Sequence, residues 1–338
     1  MRELVIGDVH FGIKANSINW LETQLELFRK QIIPAACEKN IDRVIFLGDL
    51  FDIRYYINQQ IGIEVKNLIR EFLQKFHGDI YFIAGNHDYY TPLEDGSYYN
   101  AYELAFGPEF IECHPNLKII NKDPVLVDGS LMLPWYYTEN TDHFDDILYR
   151  YDFRDEVQCI YCHADLGVWP GPRITALKNK PVYSGHIHNV TEYEYGNLHN
   201  IGSVLPMTFA DVNEERYFYI IENHQIIERI QNVTTPMFKR IYNEDIFKIT
   251  EEDIGNSYIQ ICISNSNINK ANYIDQIKFL KTTYVDANIR VHIVDDYESE
   301  TVKFNPSGMN TNINEYIETN IPDELKAKFE YIKQKISK

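Results

Sequence analysis

Aspartate, asparagine and histidine recur in this sequence in five short stretches. These are Asp8-Val9-His10-Phe11-Gly12, Gly48-Asp49-Leu50-Phe51-Asp52, Gly85-Asn86-His87-Asp88, the lone His163, and Gly185-His186-Ile187-His188. Carboxylate, amide and imidazole groups are the ligands that hard to borderline divalent cations prefer. A carboxylate has lone pairs enough to serve two cations at once. Two ions held roughly 3.5–4 Å apart can clamp a phosphate, generate hydroxide near neutral pH and stabilise charge on a leaving oxygen. Asp49 is the expected bridging carboxylate. Asp8 and His10, two apart at a strand end, can face one ion. Asn86 offers a neutral oxygen where an anionic substrate must enter, and His163, His186 and His188 add imidazoles. Any one stretch alone is as readily a turn, a cap or a satisfied core histidine. Their occurrence together, each at the end of a predicted strand, points to phosphoester hydrolysis at a two-metal centre.

The elements that must position these residues follow from apolar patterning. Leu4 to Asp8, Arg43 to Asp49 and Asp79 to Asn86 read as strands. Between them Leu21, Leu25, Phe28, Ile32 and Ala36, then Ile61, Val65, Leu68, Ile69, Phe72 and Phe76, recur at helical spacing. A β-α-β-α-β order with near-continuous apolar strands predicts a parallel sheet covered on both faces. Sheets of that kind keep their sites at the carboxyl ends of the strands. Tyr98 to Phe106 reads as a helix stopped by Gly107-Pro108, and Leu117 to Pro134 as two strands around Asp128-Gly129. Val157 to His163, Pro181 to His188, Glu192 to Gly202, and a hairpin from Arg216 to Ile230 turning at Asn223-His224 predict a second, more antiparallel half. Tyr258 to Ser264, Asn269 to Thr283 and Asn288 to Val294 make a small β-α-β unit with no ligand cluster. The expected division is a catalytic core over 1–235, an accessory unit over 236–300, and a polar linker with two terminal helices over 301–338. Those helices span Ile313 to Thr319 and Pro322 to Ile336.

A length of 338 residues allows one large or two ordinary domains. The net charge of −18 argues against a free-standing nucleic-acid binder, because affinity for a phosphate backbone comes mostly from Lys and Arg. A metal-dependent nuclease is still allowed, since bound cations invert the local field, and a second subunit would then supply most of the grip on DNA. No stretch approaches the roughly 20 apolar residues of a membrane span. Met1-Arg2-Glu3 runs directly into a strand without a signal-peptide pattern, so a cytoplasmic location is expected. The five cysteines do not suggest a disulfide scaffold, and Cys159 and Cys162, three apart in a strand, face opposite sides. No Gly-x-x-x-x-Gly-Lys-Ser/Thr loop is present, so ATP hydrolysis would belong to another chain. The tyrosine pairs Tyr55-Tyr56, Tyr89-Tyr90, Tyr98-Tyr99 and Tyr136-Tyr137 either stack unpaired bases or pack at the surface.

Taken together, the five stretches resemble the motif set of the calcineurin-like metallophosphoesterases, over residues 1–230. Within that superfamily the chain is most similar to the SbcD-type (meiotic recombination eleven) DNA-repair nuclease subunit, in the compact bacteriophage recombination form. The residues that carry this likeness are Gly48-Asp49-Leu50-Phe51-Asp52, the Gly-Asn-His-Asp ending of the third strand, the β-α-β unit after the core, and the terminal helices. The resemblance implies an α/β metallophosphoesterase sandwich of mixed β-sheets flanked by helices, with a small α+β capping domain and C-terminal helices. It implies one ion held by Asp8, His10, Asp49 and His188, and another by Asp49, Asn86, His163 and His186, with manganese the usual metal and magnesium its substitute. His87 would be the catalytic histidine, stabilising or protonating the leaving oxygen. Asp52 matches the acid that orients this histidine in related phosphatases, although nuclease relatives vary there and a strand-end cap is the other reading. Asp88 would brace its loop. Arg54 departs from the phosphatase pattern and is left outside the core site. The implied activity is 3′-to-5′ exonuclease and endonuclease cleavage of DNA in repair or recombination. The implied partner is an SbcC-type coiled-coil ATPase, onto which the terminal helices would dock in helix-in-groove fashion. Homodimers are common in the family, and for a phage-encoded chain the compartment is the host cytoplasm. The alternative is a stand-alone phosphatase or nucleotide phosphodiesterase of the same fold; a DNA-end-binding scaffold with a vestigial site is a third reading.

Overall fold

The computed structural model describes residues 1–89, 100–135, 150, 154–166, 180–192, 197–255, 257–284 and 288–294. The expectations on Tyr90, Tyr98-Tyr99, Tyr136-Tyr137 and both terminal helices lie outside them.

Two six-stranded sheets stack on each other. In spatial order the first holds β12 (Gln225–Gln231), β11 (Tyr217–Glu222), β1 (Arg2–Ile6), β2 (Arg43–Phe46), β3 (Asp79–Ile83) and β4 (Leu117–Ile120). Strands β1 to β4 are parallel, and the β11–β12 hairpin lies antiparallel beside β1. The second holds β5 (Val125–Val127), β6 (Ser130–Leu133), β7 (Cys159–His163), β8 (Val182–Gly185), β10 (Leu198–Asn200) and β9 (Thr191–Glu192). It corrects the expectation of a more antiparallel half: β6, β7, β8 and β10 are parallel, and only the two edge strands oppose their neighbours. Its strands are too short and too uniformly buried for their alternation to show direction.

Period-two alternation sets the layers. Val5, Ile45 and Tyr81 point inward against Met132, Tyr161 and Tyr183 of the other sheet. Leu4, Ile6, Val44, Phe46 and Phe82 point outward and pack with Leu21, Phe28, Val65 and Phe72 of the helices. Cys159 belongs to the inner layer and Cys162 to the far face of the second sheet, so both are buried and free, facing opposite sides. The inner layer ends in a polar knot at the amino ends of the strands. Arg43 Nε donates to Glu3 Oε1 at 2.7 Å, Arg43 Nη2 to Ser130 Oγ at 2.5 Å, and the Tyr161 hydroxyl to Glu3 Oε2 at 2.5 Å. Four strands from both sheets meet in that buried network.

Helix α1 (Ile18–Leu27) continues through a π-type turn (Phe28–Ile32) into α2 (Ile33–Glu38). Asn58 caps α3 (Gln59–Lys75) by accepting from Gln60 N and Ile61 N, and the helix buries Ile61, Val65, Leu68, Ile69 and Phe72. Gly107-Pro108 stops the helix at Phe106 as expected, and a second helix begins at once. Gly107, at φ 72°, ends α4 (Ala101–Phe106), and Pro108 opens α5 (Pro108–Cys113) at the position where its missing N–H costs nothing. The stretch 117–134 divides differently: β4 joins the first sheet, while the Asp128-Gly129 turn, with φ 49° and 80°, closes the β5–β6 hairpin of the second.

A third sheet contains the unforeseen β13 (Met237–Tyr242) beside β14 (Ser257–Ser264) and β15 (Asn288–Val294), all parallel. Lys239 and Arg240 interrupt the apolar run of β13 and hide it from a hydropathy reading. The crossovers carry α6 (Glu251–Ile254) and α7 (Ala271–Thr283). Trp20 of α1 stacks on Phe238 and Tyr258, with centroids 6.1 and 5.3 Å apart, joining this sheet to the core.

Candidate metal centre

Carboxyl ends of β1, β2, β3, β7 and β8 converge on one edge of the sandwich, and each delivers part of one cluster. Glycine makes the approach close enough. Gly48, Gly85 and Gly185 immediately precede Asp49, Asn86 and His186. A Cβ on Gly48 would lie 2.2 Å from His163 Nδ1, one on Gly85 2.2 Å from Asp49 Oδ1, and one on Gly185 2.5 Å from Asp8 Oδ1. Three ligand positions also take left-handed backbone: His10 at φ 52°, Asp49 at 46° and His186 at 85°. Asp and His enter that region more readily than most non-glycine residues, and here the close-packed strand ends hold three of them in it.

All seven expected ligand residues meet. Asp8, His10 and His188 form one group, with His10 Nε2 3.2 Å from His188 Nε2 and His188 Nε2 3.8 Å from Asp8 Oδ2. Asp49, His163 and His186 form another. A single atom joins them: Asp49 Oδ2 is 3.6 Å from His10 Nε2 and 3.4 Å from His163 Nε2. Its partner Oδ1 accepts from His87 N at 2.8 Å. The carboxylate is thus shared through one oxygen while the other locks it in place. Asn86 completes the second group, its amide 2.9 Å from both His163 Nε2 and His186 Nδ1.

These groups fit divalent ions. With its oxygen toward the histidines, Asn86 brings lone pair against lone pair, and so does the His10–His188 contact unless a proton or cation lies between. Turned round, the amide donates to both rings and its oxygen accepts from Arg54 Nη2 at 2.5 Å. Without a cation only the turned orientation satisfies the amide, and only the other presents its oxygen to an ion. His163 Nδ1 lies 2.7 Å from Leu47 O, which keeps its proton there and leaves Nε2 to the cluster.

Burial and mutual charge set the protonation of these groups. Burial raises Asp8 to about 6. Asp49 is lowered: burial opposes ionisation, but His163 beside it prevails. His163 itself is raised to about 9, Asp49 overcoming burial. Burial, aided by His163 and His10 respectively, lowers His186 and His188 to about 4. Neutral imidazoles are the form a metal requires.

Asp52 differs from expectation. Its carboxylate faces His10 Nδ1 at 3.3 Å, whereas it reaches His87 Nδ1 with its backbone carbonyl at 2.5 Å. The side chain meets His10 in the loop after β1, so the orienting contact to His87 is a peptide oxygen. Asp88 does brace its loop. Buried, it accepts from Gly85 N at 2.9 Å and the Tyr102 hydroxyl at 2.8 Å, and from Leu50 N and Phe51 N at 3.4 and 3.3 Å.

Three supporting residues escaped the sequence reading. Gln24 donates to Val9 O and His10 O at 2.7 and 3.1 Å, and its signal was an amide on the apolar stripe of α1. Arg216, buried, donates to His188 O at 2.6 Å. Trp135, just past the carboxyl end of β6, lies over the His186 ring at 4.8 Å.

The geometry is matched by family comparison: residues 1–201 fit the family of calcineurin-like phosphoesterases. The chain belongs to that family. Calcineurin-like phosphoesterases are metal-dependent hydrolases, and this one has His/Asp clusters able to take divalent ions. Among solved structures, a crystal structure of the Pseudomonas putida nuclease MPE is similar at 14% identity and a TM-score of 0.30, covering 68% of this chain and 87% of that one. No curated protein matches the chain. No helix among the described residues is long and apolar enough to cross a membrane.

Proposed function

We propose that this phosphoesterase is a two-metal DNA nuclease, a 3′-to-5′ exonuclease and endonuclease working in repair or recombination with an SbcC-type coiled-coil ATPase. The observation that carries the hydrolytic part is Asp49 Oδ2 lying between two ligand groups, with His87 fixed at their edge. Asp8, His10, Asp49 and His188 would hold one ion, and Asp49, Asn86, His163 and His186 the other. When bound, the pair supplies Lewis-acid charge and a water of lowered pKa. Manganese is the proposed metal, with magnesium its substitute. His87 has Nδ1 held by the Asp52 carbonyl, so Nε2 is the atom that can protonate a leaving oxygen. Burial lowers its pKa and the Asp49 charge partly restores it. Arg54, beside Asn86, can reach a phosphate bound at the cluster. Support for DNA as substrate comes from the motif resemblance and from the three-stranded sheet following the core.

The test is His87→Ala with manganese and a 3′-labelled duplex. Two ions should remain bound while cleavage falls by about 10²–10⁴, and full cleavage by that variant would overturn the assignment. Affinity capture from the native host should bring down a coiled-coil ATPase; a chain that binds none yet turns over small phosphodiesters strongly is the stand-alone enzyme instead.

A further inference from the structure

A cavity of about 430 Å³ opens beside the ligand cluster, walled by residues 53–57 on one side and by Asn100, Ala101, Glu103 and Leu104 on the other. We propose that it seats an unpaired nucleobase of the substrate, next to the phosphate that Arg54 contacts; this rests on the nuclease reading above. Its volume lies in the range of pockets that take small organic ligands, roughly 300–1,000 Å³. Large apolar side chains are concentrated there: Tyr55, Tyr56 and Leu104 are 68%, 54% and 69% exposed. Exposed apolar side chains scattered singly need no explanation, but a contiguous group around a cavity marks a binding surface.

The walls are fixed to the ligand loops. Ala101 N donates to Asp88 O at 2.7 Å and the Tyr102 hydroxyl to the Asp88 carboxylate at 2.8 Å, the same carboxylate that accepts from Gly85 N. Asn100 caps α4 by accepting from Glu103 N at 2.9 Å. Tyr56 accepts from Asn16 Nδ2 at 3.3 Å on the opposite wall. Arg54 belongs to both places, lining the cavity and lying 2.5 Å from the Asn86 amide. Moving outward from the cluster, a ligand meets a cation and then aromatic surface. A nucleotide presents phosphate and then a flat ring, in that order. Stacking on tyrosine accepts any base, because every base has a π-face, so the site confers a preference for unpaired ends rather than for sequence.

The experiment compares two single-stranded oligonucleotides cleaved with manganese, one bearing bases at its terminal nucleotides and one carrying tetrahydrofuran abasic residues there. The wild type should cleave the base-bearing strand about tenfold faster, the lower part of the range for stacking on an aromatic ring. Tyr55→Ala, which removes a ring, and Leu104→Trp, which fills the cavity, should bring the ratio toward one by slowing the base-bearing strand. Equal wild-type rates, or a ratio unchanged in both variants, overturn the proposal alone. Cleavage of neither strand overturns the nuclease reading, and the base site with it.

Discussion

Gly85→Ala should disable both ion sites at once. The added Cβ would sit 2.2 Å from Asp49 Oδ1, 2.4 Å from Asp49 N and 2.9 Å from Asp49 Cγ. Non-bonded carbons are not found so close, and because a backbone nitrogen is among the obstacles, a rotamer change alone cannot relieve the clash. Asp49 must retreat by about 1 Å, well outside the roughly 0.2 Å tolerance of a metal–ligand bond. Forcing one extra methyl into a packed site costs about 1–3 kcal/mol, so the variant folds with a lowered urea midpoint. Metal affinity should drop at least 10–100-fold, the usual penalty for disturbing a ligand's support, and turnover by about 10². The diagnostic feature is symmetry. Asp49 Oδ2 serves both groups, so calorimetric titration should show both ions weakened together, whereas His188→Ala should weaken only one. Gly255→Ala is the control, because its Cβ would meet nothing nearer than 3.5 Å, and its stability should stay within about 0.5 kcal/mol of the wild type. A Gly85→Ala protein that binds two ions with native affinity would refute the claim that strand-end glycines set the ligand spacing.

Asp52→Ala should act through the metal rather than through His87. The carbonyl that holds His87 remains while His10 loses its carboxylate, so manganese titration should show about tenfold weaker binding and activity recovering at saturating metal; a deficit matching that of His87→Ala at every metal concentration would contradict this. Glu3→Ala takes from buried Arg43 its closest carboxylate, leaving the Ser130 hydroxyl at 2.5 Å and exposed Asp128 at 3.8 Å, and should cost about 3 kcal/mol by urea unfolding, the lower end for a broken buried pair, with near-normal turnover in the folded fraction because the knot lies at the opposite strand ends. Metal-free protein should lose stability as pH rises from 6.5 to about 9. His163 has a folded pKa near 9 against an ordinary 6.5, so its stabilising contribution is complete below 6.5 and vanishes as pH passes the folded value. Thermal melts in chelator should show that decline, and His163→Asn should flatten it.

The first half of the chain was legible because each buried strand is bracketed by a helix with a clean apolar stripe, and because polar residues cluster where each strand must end. The meeting of Asp8, His10, Asp49, Asn86, His163, His186 and His188 could be read for the same reason: glycine–ligand pairs are short-range signals. What stayed hidden depends on packing. Strand direction in the second sheet is decided by which neighbour each short strand finds, and strand β13 is masked by Lys239 and Arg240. The contact of Asp52 with His10 rather than His87 depends on the direction of one turn. Gln24 and Arg216 act on backbone carbonyls, which no sequence pattern marks.

Left-handed backbone at His10, Asp49 and His186 has an evolutionary consequence. Each such residue holds a conformation that costs on the order of 1–3 kcal/mol, a sizeable share of the roughly 5–15 kcal/mol that separates folded from unfolded chains. A descendant released from hydrolysis would recover that cost by placing glycine at His186, whereas at Asp49 the gain is offset by loss of the carboxylate that accepts from His87 N and balances buried His163. Loss of chemistry therefore runs downhill in folding free energy at the His186 turn, and the drift of a lineage away from catalysis should leave a glycine there first.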